Sequence, residues 1–141
     1  MPAVHLVAKT IVVDGTGRIL LLRRSPTDHN RPHDWDFPGG GLEKGESYKR
    51  AAMRELREET SLTYPETGLK LVYAGTEFYE PAERIYFRHL YTARFTDGQA
   101  VKLSFEHDYF EWMDVDKALE VFQHRFYNPG LRFARDHGLL N

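Results

Sequence analysis

The sequence predicts an α/β protein in which a mixed β-sheet is flanked by helices. Strand-like segments outnumber helical ones, the longest helical segment lies in the middle of the chain, and turn signals separate the strands. No repeat, linker or low-complexity stretch divides the chain, and 141 residues are enough for one core. We therefore expect a single domain over residues 1–141.

The first third of the chain predicts a β-hairpin followed by an irregular segment. The stretches "AVHLVAKTIVV" and "RILLLRR" are apolar and rich in branched residues, and the turn signal "DGTG" lies between them. Residues 25–34 are polar and contain two prolines, which indicates a loop. The next four residues, "WDFP", form a short extended piece that the proline ends.

A glycine-rich loop then leads into the longest helix. Residues 39–46 read "GGGLEKGE", Ser47 is a suitable N-cap, and residues 48–60 are strong helix formers. The second half predicts further strands at "LKLVYAGTEFY", "RIYFRHLYTARF" and "YFEWMDV". A short helix is expected at about residues 116–123, and a last helix from Asn128, acting as N-cap, to about residue 136.

The overall composition restricts the function classes. The net charge is −2, so no strong field favours nucleic acid or an anionic membrane surface. The chain has no cysteine, which excludes disulfides, thiolate chemistry and sulfur-based zinc sites. No apolar run reaches the roughly 20 residues of a membrane helix, and the start of the chain lacks a signal-peptide pattern. We expect a cytoplasmic protein that binds neither nucleic acid nor membrane.

Three glutamates on the predicted helix are spaced so that they repel one another. Glu55, Glu58 and Glu59 are three or four residues apart, and on a helical wheel they form one edge of the face that includes Leu56. No lysine or arginine falls inside this triangle on the wheel. A solvated helix with ion pairs, such as Arg54 with Glu58, is the ordinary alternative, but it explains the three acids poorly.

A bound dication would turn this repulsion into attraction. Two partly buried charges ~6 Å apart repel by about 2–3 kcal/mol at an effective dielectric constant of about 20. Mg²⁺ prefers oxygen ligands and leaves coordination positions for water and substrate phosphates. The glycines at residues 39–41, directly before the helix, let the backbone approach an ion or phosphate because they have no Cβ. The pattern favours a metal-bound phosphate site.

The segment from Gly40 onward consists of a glycine, five residues, Glu46, seven residues and "RELREE". It resembles the signature of the Nudix hydrolases, which here occupies residues 40–62. The order of the predicted strands is also similar to the family fold, an α/β/α sandwich with a mixed sheet. The resemblance implies a hydrolase of a nucleoside diphosphate linked to another group, with Mg²⁺ or Mn²⁺ as cofactor.

The same resemblance implies a metal site built from oxygen ligands. These are the carboxylates of Glu55, Glu58, Glu59 and Glu106, together with the backbone carbonyl of Gly39 or Gly40. Arg54 would brace the carboxylates by hydrogen bonds, and Glu46 would tie the loop to the helix. The general base differs among family members, and both Glu55 and Glu106 are candidates.

The segment around the predicted loop at residues 25–34 resembles the mutator (MutT) branch, which hydrolyses nucleoside triphosphates to monophosphates and pyrophosphate. Four residues fit positions that contact substrate in that branch: Arg24, His29, Arg84 and Asn128. Each has an ordinary alternative, such as a solvent-facing strand end for Arg24, an exposed loop for His29 and a helix cap for Asn128.

Several alternatives stay open. Phe78 and Tyr79 lie near the position where dinucleoside polyphosphate hydrolases tend to carry tyrosine, and nucleotide sugars or ADP-ribose are further possible substrates. A non-catalytic nucleotide sensor on the same fold is the alternative outside enzymes, although such a protein is expected to have lost one of the acids. We expect a small nucleotide as the partner, and a monomer or a homodimer.

One residue departs from the family signature. Ser61 stands just past the helix, where the family usually has glycine. Glycine suits a left-handed C-cap, and serine adopts that conformation at a cost of roughly 1–2 kcal/mol. The departure concerns the exit of the helix and removes no metal ligand.

Overall fold

The computed structural model describes residues 2–28 and 32–141. Within these ranges the strands are β1 (Ala3–Val13), β2 (Ile19–Arg24), β3 (Trp35–Asp36), β4 (Gly39–Gly41), β5 (Lys70–Tyr79), β6 (Arg84–Arg94) and β7 (His107–Met113). The helices are α1 (Tyr48–Thr60), α2 (Val115–Val121) and α3 (Tyr127–Asp136). The order is the one the sequence predicts, with β4 added.

The strand β1 is the centre of the mixed sheet. It runs parallel to β6 along its whole length, from Ala3 opposite Arg84 to Val13 opposite Arg94. It also pairs antiparallel with β4, while β5 joins the other side of β6 and β2 pairs with β3 and β7. The predicted hairpin is confirmed at its turn, where Val13 is opposite Ile19. Beyond that point β1 continues beside β6.

Helices cover both faces of this sheet. Successive strand residues point to opposite faces, so Ala8 and Val12 of β1 pack toward α1, whereas Ile11 and Val13 pack toward α2 and α3. The result is the α/β/α sandwich with a mixed sheet that the sequence predicts. In the described ranges, no helix has the length and apolar character needed to cross a bilayer.

The helix α1 begins and ends at the predicted residues. At its start the Ser47 hydroxyl accepts a hydrogen bond from the Arg50 N–H. At its end Ser61 adopts the left-handed conformation, with φ of 66°, and its N–H donates to the Arg57 carbonyl. Serine therefore takes the glycine-like conformation at this position, and its hydroxyl donates to the Lys102 carbonyl at 3.2 Å.

Two local predictions are wrong. Residues 39–46 were expected to be a loop, but Gly39–Gly41 form β4, opposite residues 7–9 of β1. Backbone pairing with β1 supplies the regularity that a glycine run does not predict. A Cβ at Gly39, where φ is 147°, would collide with the Ala8 carbonyl.

The start of α3 also differs from the prediction, because Phe126 is the N-cap and Asn128 lies inside the helix. The Asn128 amide donates to the carbonyls of Leu119 and Phe122 at the end of α2, at 2.8 and 2.9 Å. Asn128 therefore satisfies the C-terminal carbonyls of the preceding helix, which the sequence pattern did not indicate.

Candidate active site

A cavity of about 1060 Å³ lies beside the central strands. One wall contains Glu55 and Glu59 of α1 together with the glycines of β4. Another wall contains Tyr79 of β5 with Arg84 and Tyr86 of β6. Because β4 and β6 both pair with β1, the acids of α1 and the basic side chains of β6 open into one space.

The three glutamates differ in exposure, although the helical wheel predicts that all three lie along one edge of the buried face. Glu59 lies next to Leu56 and is buried, Glu55 is half-buried, and Glu58 is exposed. Glu59 Oε1 accepts a hydrogen bond from the Gly39 N–H at 3.2 Å, which joins the helix to β4. The acids thus extend from the core boundary to solvent along one edge of α1.

Arg54 lies among these acids. Its guanidinium donates to both oxygens of Glu46 at 2.7 and 3.0 Å, to Glu55 at 3.0 Å and to Glu58 at 3.2 Å. It also donates to the Gly41 carbonyl at 3.0 Å. These are the bracing and loop-tying contacts that the resemblance implies. The helical wheel places no cation inside the triangle of acids, but the Arg54 side chain is long enough to reach them.

The pKa of Glu59 differs from that of an ordinary glutamate. Burial raises the pKa of Glu59 well above its ordinary value, and a hydrogen bond with Glu55 raises it further, while Lys9 opposes the shift. A nearby cation favours the charged form of such a buried carboxyl group. A Cβ at Gly40 would lie 2.9 Å from Glu55 Oε1, so glycine leaves space between backbone and carboxylate. Both observations fit a divalent metal site.

The carboxylates of α1 are not arranged as a complete set of metal ligands in the described residues. Within the described residues, no three histidine, aspartate or glutamate side chains are placed to hold one metal ion. Arg54 engages Glu55 and Glu58 instead. A metal ion held by these acids would therefore have to replace contacts that they make with the guanidinium.

A buried ion-pair cluster lies behind the acids. Lys9 Nζ donates to Asp36 Oδ2 at 2.9 Å and to the Gly39 carbonyl at 3.2 Å, and Arg24 donates to the same Asp36 oxygen at 2.7 Å. Burial opposes the charge on Lys9, but Asp36, Tyr127 and Glu59 together outweigh burial, so the Lys9 pKa lies above its ordinary value. Sequence reasoning did not single out Lys9. Its available signal was a lysine in the middle of an otherwise apolar strand.

The remaining predicted site residues differ in whether they line the cavity. Arg24, Arg84 and Glu106 line the cavity. In the part of the chain that the structure describes, Arg84 has no acidic partner. Asn128 does not line the cavity, and its amide is used between α2 and α3. His29 lies outside the described residues.

A second charged group on the β5–β6 wall was not predicted. Glu77 accepts hydrogen bonds from Arg88 at 3.0 Å and from Arg125. Arg88 lies 4.3 Å from the centre of the Tyr86 ring, and Arg125 lies 4.9 Å from the centre of the Tyr79 ring. These side chains come from separate segments, and only strand pairing brings them together, so sequence spacing gives no signal.

The fold and the acidic helix together match a known family. The family model described as "NUDIX domain" matches residues 4–133. The chain belongs to the Nudix hydrolase family.

Individual relatives differ in name and length. The octanoyltransferase of Myxococcus xanthus is 38% identical over 77% of this chain and 30% of that protein, so the chain spans less than a third of its length. The CTP pyrophosphohydrolase of Escherichia coli K12 is 31% identical over 77% of this chain and 76% of that protein. The crystal structure of a MutT protein from Methanosarcina mazei Go1 gives a TM-score of 0.78 at 26% identity, covering 96% of both chains.

Proposed function

We propose that this protein is a metal-dependent hydrolase that cleaves the diphosphate linkage of a small nucleotide. The observation that carries the proposal is the placement of Glu55 and Glu59, four residues apart on α1, in the wall of a cavity that also contains basic side chains. Acids of this kind bind a dication, and the cavity accepts a polyanionic substrate beside them.

Mg²⁺ or Mn²⁺ would be held by the proposed ligands: Glu55, Glu58, Glu59, Glu106 and the carbonyl of Gly39 or Gly40. Bound there, the metal would polarise the diphosphate and lower the pKa of a water molecule. Arg54 releases and recaptures carboxylates of α1, and Arg24 and Arg84 neutralise phosphate charge. The attacking water gives its oxygen to phosphorus and its proton to Glu55 or Glu106, while the bridging P–O bond breaks.

The test is turnover of a panel of nucleotides with Mg²⁺: nucleoside triphosphates, nucleotide sugars, ADP-ribose and dinucleoside polyphosphates. Glu58→Gln should lower the rate by about 100-fold or more, because a neutral amide replaces a charged metal ligand. Glu120→Gln, on the exposed side of α2, is the matched control. Turnover of no substrate, or equal rates in both variants, would contradict the proposal.

Nucleoside triphosphates are the substrates we favour. The similarity to a CTP pyrophosphohydrolase and to a MutT protein supports a reaction that gives a monophosphate and pyrophosphate. Chromatography of the products distinguishes pyrophosphate release from release of single phosphates.

Dinucleoside polyphosphates are the second candidate, favoured by the position of Tyr79. This ring is 47% exposed and lines the cavity. Tyr79 of β5 is opposite Arg84 of β6, and Arg84 is opposite Ala3 of β1. On the other side of β1, Gly41 of β4 is opposite Val7. Four strand residues span about 13 Å. Measured along the direction of β1, Tyr79 is therefore far enough from the glycines of β4 for a second nucleoside to reach its ring.

A non-catalytic sensor stays the alternative outside enzymes. Calorimetry that gives tight nucleotide binding with Mg²⁺, together with unchanged nucleotide after prolonged incubation, would favour the sensor. The cytoplasmic location, the absence of nucleic-acid partners, and the choice between monomer and homodimer remain predictions.

A further inference from the structure

Lys9 is a buried cation on the cavity surface that the proposed metal chemistry does not use. The side chain is 8% exposed, yet it belongs to the lining of the cavity. Removing an ammonium group from water costs several kcal/mol unless its hydrogen bonds are satisfied. A buried lysine in contact with a substrate cavity therefore needs an explanation.

Two of the three ammonium hydrogens have acceptors. Asp36 Oδ2 lies 2.9 Å and the Gly39 carbonyl 3.2 Å from Lys9 Nζ. Among residues 2–28 and 32–141, no group accepts the third hydrogen. An ammonium group donates three hydrogen bonds and accepts none. One donor position of Lys9 is therefore open to a ligand in the cavity.

A purely structural role does not account for Lys9. Its partner Asp36 already accepts a shorter hydrogen bond from Arg24, at 2.7 Å. A methionine would fill the space of the lysine stem, and Arg24 would still neutralise the buried Asp36 carboxylate. The charge is therefore better explained by something that enters the cavity than by stabilisation of Asp36.

The position of Lys9 indicates which part of a nucleotide it meets. Lys9 donates to the carbonyl of Gly39, and the N–H of Gly39 donates to Glu59, so a single residue separates the ammonium from this acid of α1. The negatively charged groups of a nucleotide are its phosphates, and these are the groups that a cation beside the metal site would bind.

We propose that Lys9 contacts the substrate directly and donates a hydrogen bond to a non-bridging phosphate oxygen next to the scissile diphosphate. The proposal rests on the proposed function for the identity of the ligand. Lys9 adds a positive charge fixed to the floor of the cavity, independent of any bound metal.

The main test measures binding without catalysis. Isothermal titration calorimetry with α,β-methylene ATP, whose methylene bridge resists hydrolysis, is run in EDTA and again in Mg²⁺. Lys9→Met should weaken binding by about tenfold in both conditions, the amount expected for one charge-assisted hydrogen bond. Lys70→Met removes the same charge from the exposed start of β5 and should bind like the unmodified protein. Equal affinities for Lys9→Met and Lys70→Met would overturn the proposal.

A separate readout excludes an indirect effect through the metal ligands. Mn²⁺ affinity without nucleotide, measured by electron paramagnetic resonance, should change by less than about threefold in Lys9→Met. A loss of Mn²⁺ affinity that matches the loss of nucleotide affinity would show that Lys9 only positions Gly39 and Glu59, and would also overturn the proposal.

If Lys9→Met does not fold, the unmodified protein provides the answer. With ¹⁵N-labelled lysine, the buried Lys9 ammonium should give a slowly exchanging NMR signal, and adding α,β-methylene ATP should shift it. A Lys9 signal that stays unchanged at saturating nucleotide would contradict the contact. Because neither measurement requires turnover, a failure of the proposed hydrolase activity and a failure of the Lys9 contact are distinguishable.

Discussion

At the scale of single residues, Arg54 shows how one side chain organises the acids of α1. Its forked guanidinium contacts both oxygens of Glu46 and reaches Glu55 and Glu58 as well. An ammonium group has no planar fork and carries a more localised charge. The role of this residue therefore depends on its shape as well as its charge.

Arg54→Lys is expected to lower the free energy of unfolding by about 1–3 kcal/mol, because hydrogen bonds to charged groups are lost while the charge remains. Urea denaturation measures this change. Arg57→Lys, an exposed position on the same helix, is the control and should shift stability by less than about 0.5 kcal/mol. Equal effects of the two substitutions would show that the fork does not matter.

Glu106 is a second residue whose role is open to test. It lines the cavity from the segment just before β7. If Glu106 is the base or a metal ligand, Glu106→Gln should lower kcat by about 100-fold or more and change KM much less. An unchanged kcat would remove Glu106 from the site and leave Glu55 as the candidate base.

Tyr64 predicts an effect of alkaline pH on stability. Burial raises its pKa to about 12, and among the described residues its hydroxyl has no hydrogen-bond partner. An unfolded tyrosine ionises near pH 10, so this group contributes stability below that pH, which is lost as the pH rises toward 12. The loss approaches roughly 2–3 kcal/mol.

Tyr64→Phe should remove that pH dependence and, at pH 7, raise the free energy of unfolding by about 1 kcal/mol, because an unsatisfied buried hydroxyl is deleted. Denaturant unfolding of both proteins between pH 7 and 11 measures the difference. A variant that is less stable than the unmodified protein at every pH would mean that the hydroxyl is bonded in solution.

At the scale of elements, the two ends of α1 respond oppositely to small substitutions. Ser47→Ala removes the side-chain acceptor for the Arg50 N–H and should cost about 1 kcal/mol. Ser61→Gly removes the strain of a left-handed residue that has a Cβ. It should raise the free energy of unfolding by about 0.5–1 kcal/mol, an amount reduced by the loss of the exposed hydrogen bond to the Lys102 carbonyl. Thermal unfolding of both variants tests the pair, and a loss of stability in Ser61→Gly would contradict it.

The two elements that meet at the acids differ in how well the sequence predicts them. The helix α1 has its own N-cap and helix formers, so its bounds follow from local chemistry. The strand β4 consists of three glycines, and its regularity comes entirely from pairing with residues 7–9. Local propensity carries no information about a partner 32 residues earlier in the sequence, so the prediction of a loop was wrong there.

At the scale of the whole molecule, the cavity is a product of sheet order. Residues far apart in sequence meet because β1 lies between β4 and β6. The metal-ligand candidates on α1 were predictable, since one helix carries them. The cluster of Glu77, Arg88 and Arg125 was not, since it requires the β5–β6 pairing and the position of the segment before α3.

This cluster predicts a response to acid. Burial alone would raise the Glu77 pKa, but the hydrogen bond from Arg125 and the charge of Arg88 lower it below its ordinary value. Glu77 therefore contributes stability above the unfolded pKa of about 4.3, and that stability is lost as the pH falls through the lower folded-state pKa. Glu77→Gln should be less stable at pH 7 by about 1–3 kcal/mol and should lose less stability on acidification.

Thermal unfolding between pH 3 and 7 measures the Glu77 effect. Glu66→Gln, an exposed acid paired with Arg50, is the control and should follow the unmodified protein. Identical acid profiles for Glu77→Gln and the unmodified protein would show that the two arginines do not hold this carboxylate in its charged form.

The alternation of β1 side chains between the cavity and the opposite face depends on the number of residues before Lys9. Lys9 points into the cavity and its neighbour Thr10 points to the opposite face. Deleting Ala8 would leave Lys9 and the downstream chain in place and reverse the alternation of the residues upstream. His5 and Val7 would turn toward the α1 side, while Val4 and Leu6 would turn toward the face that contains the cavity.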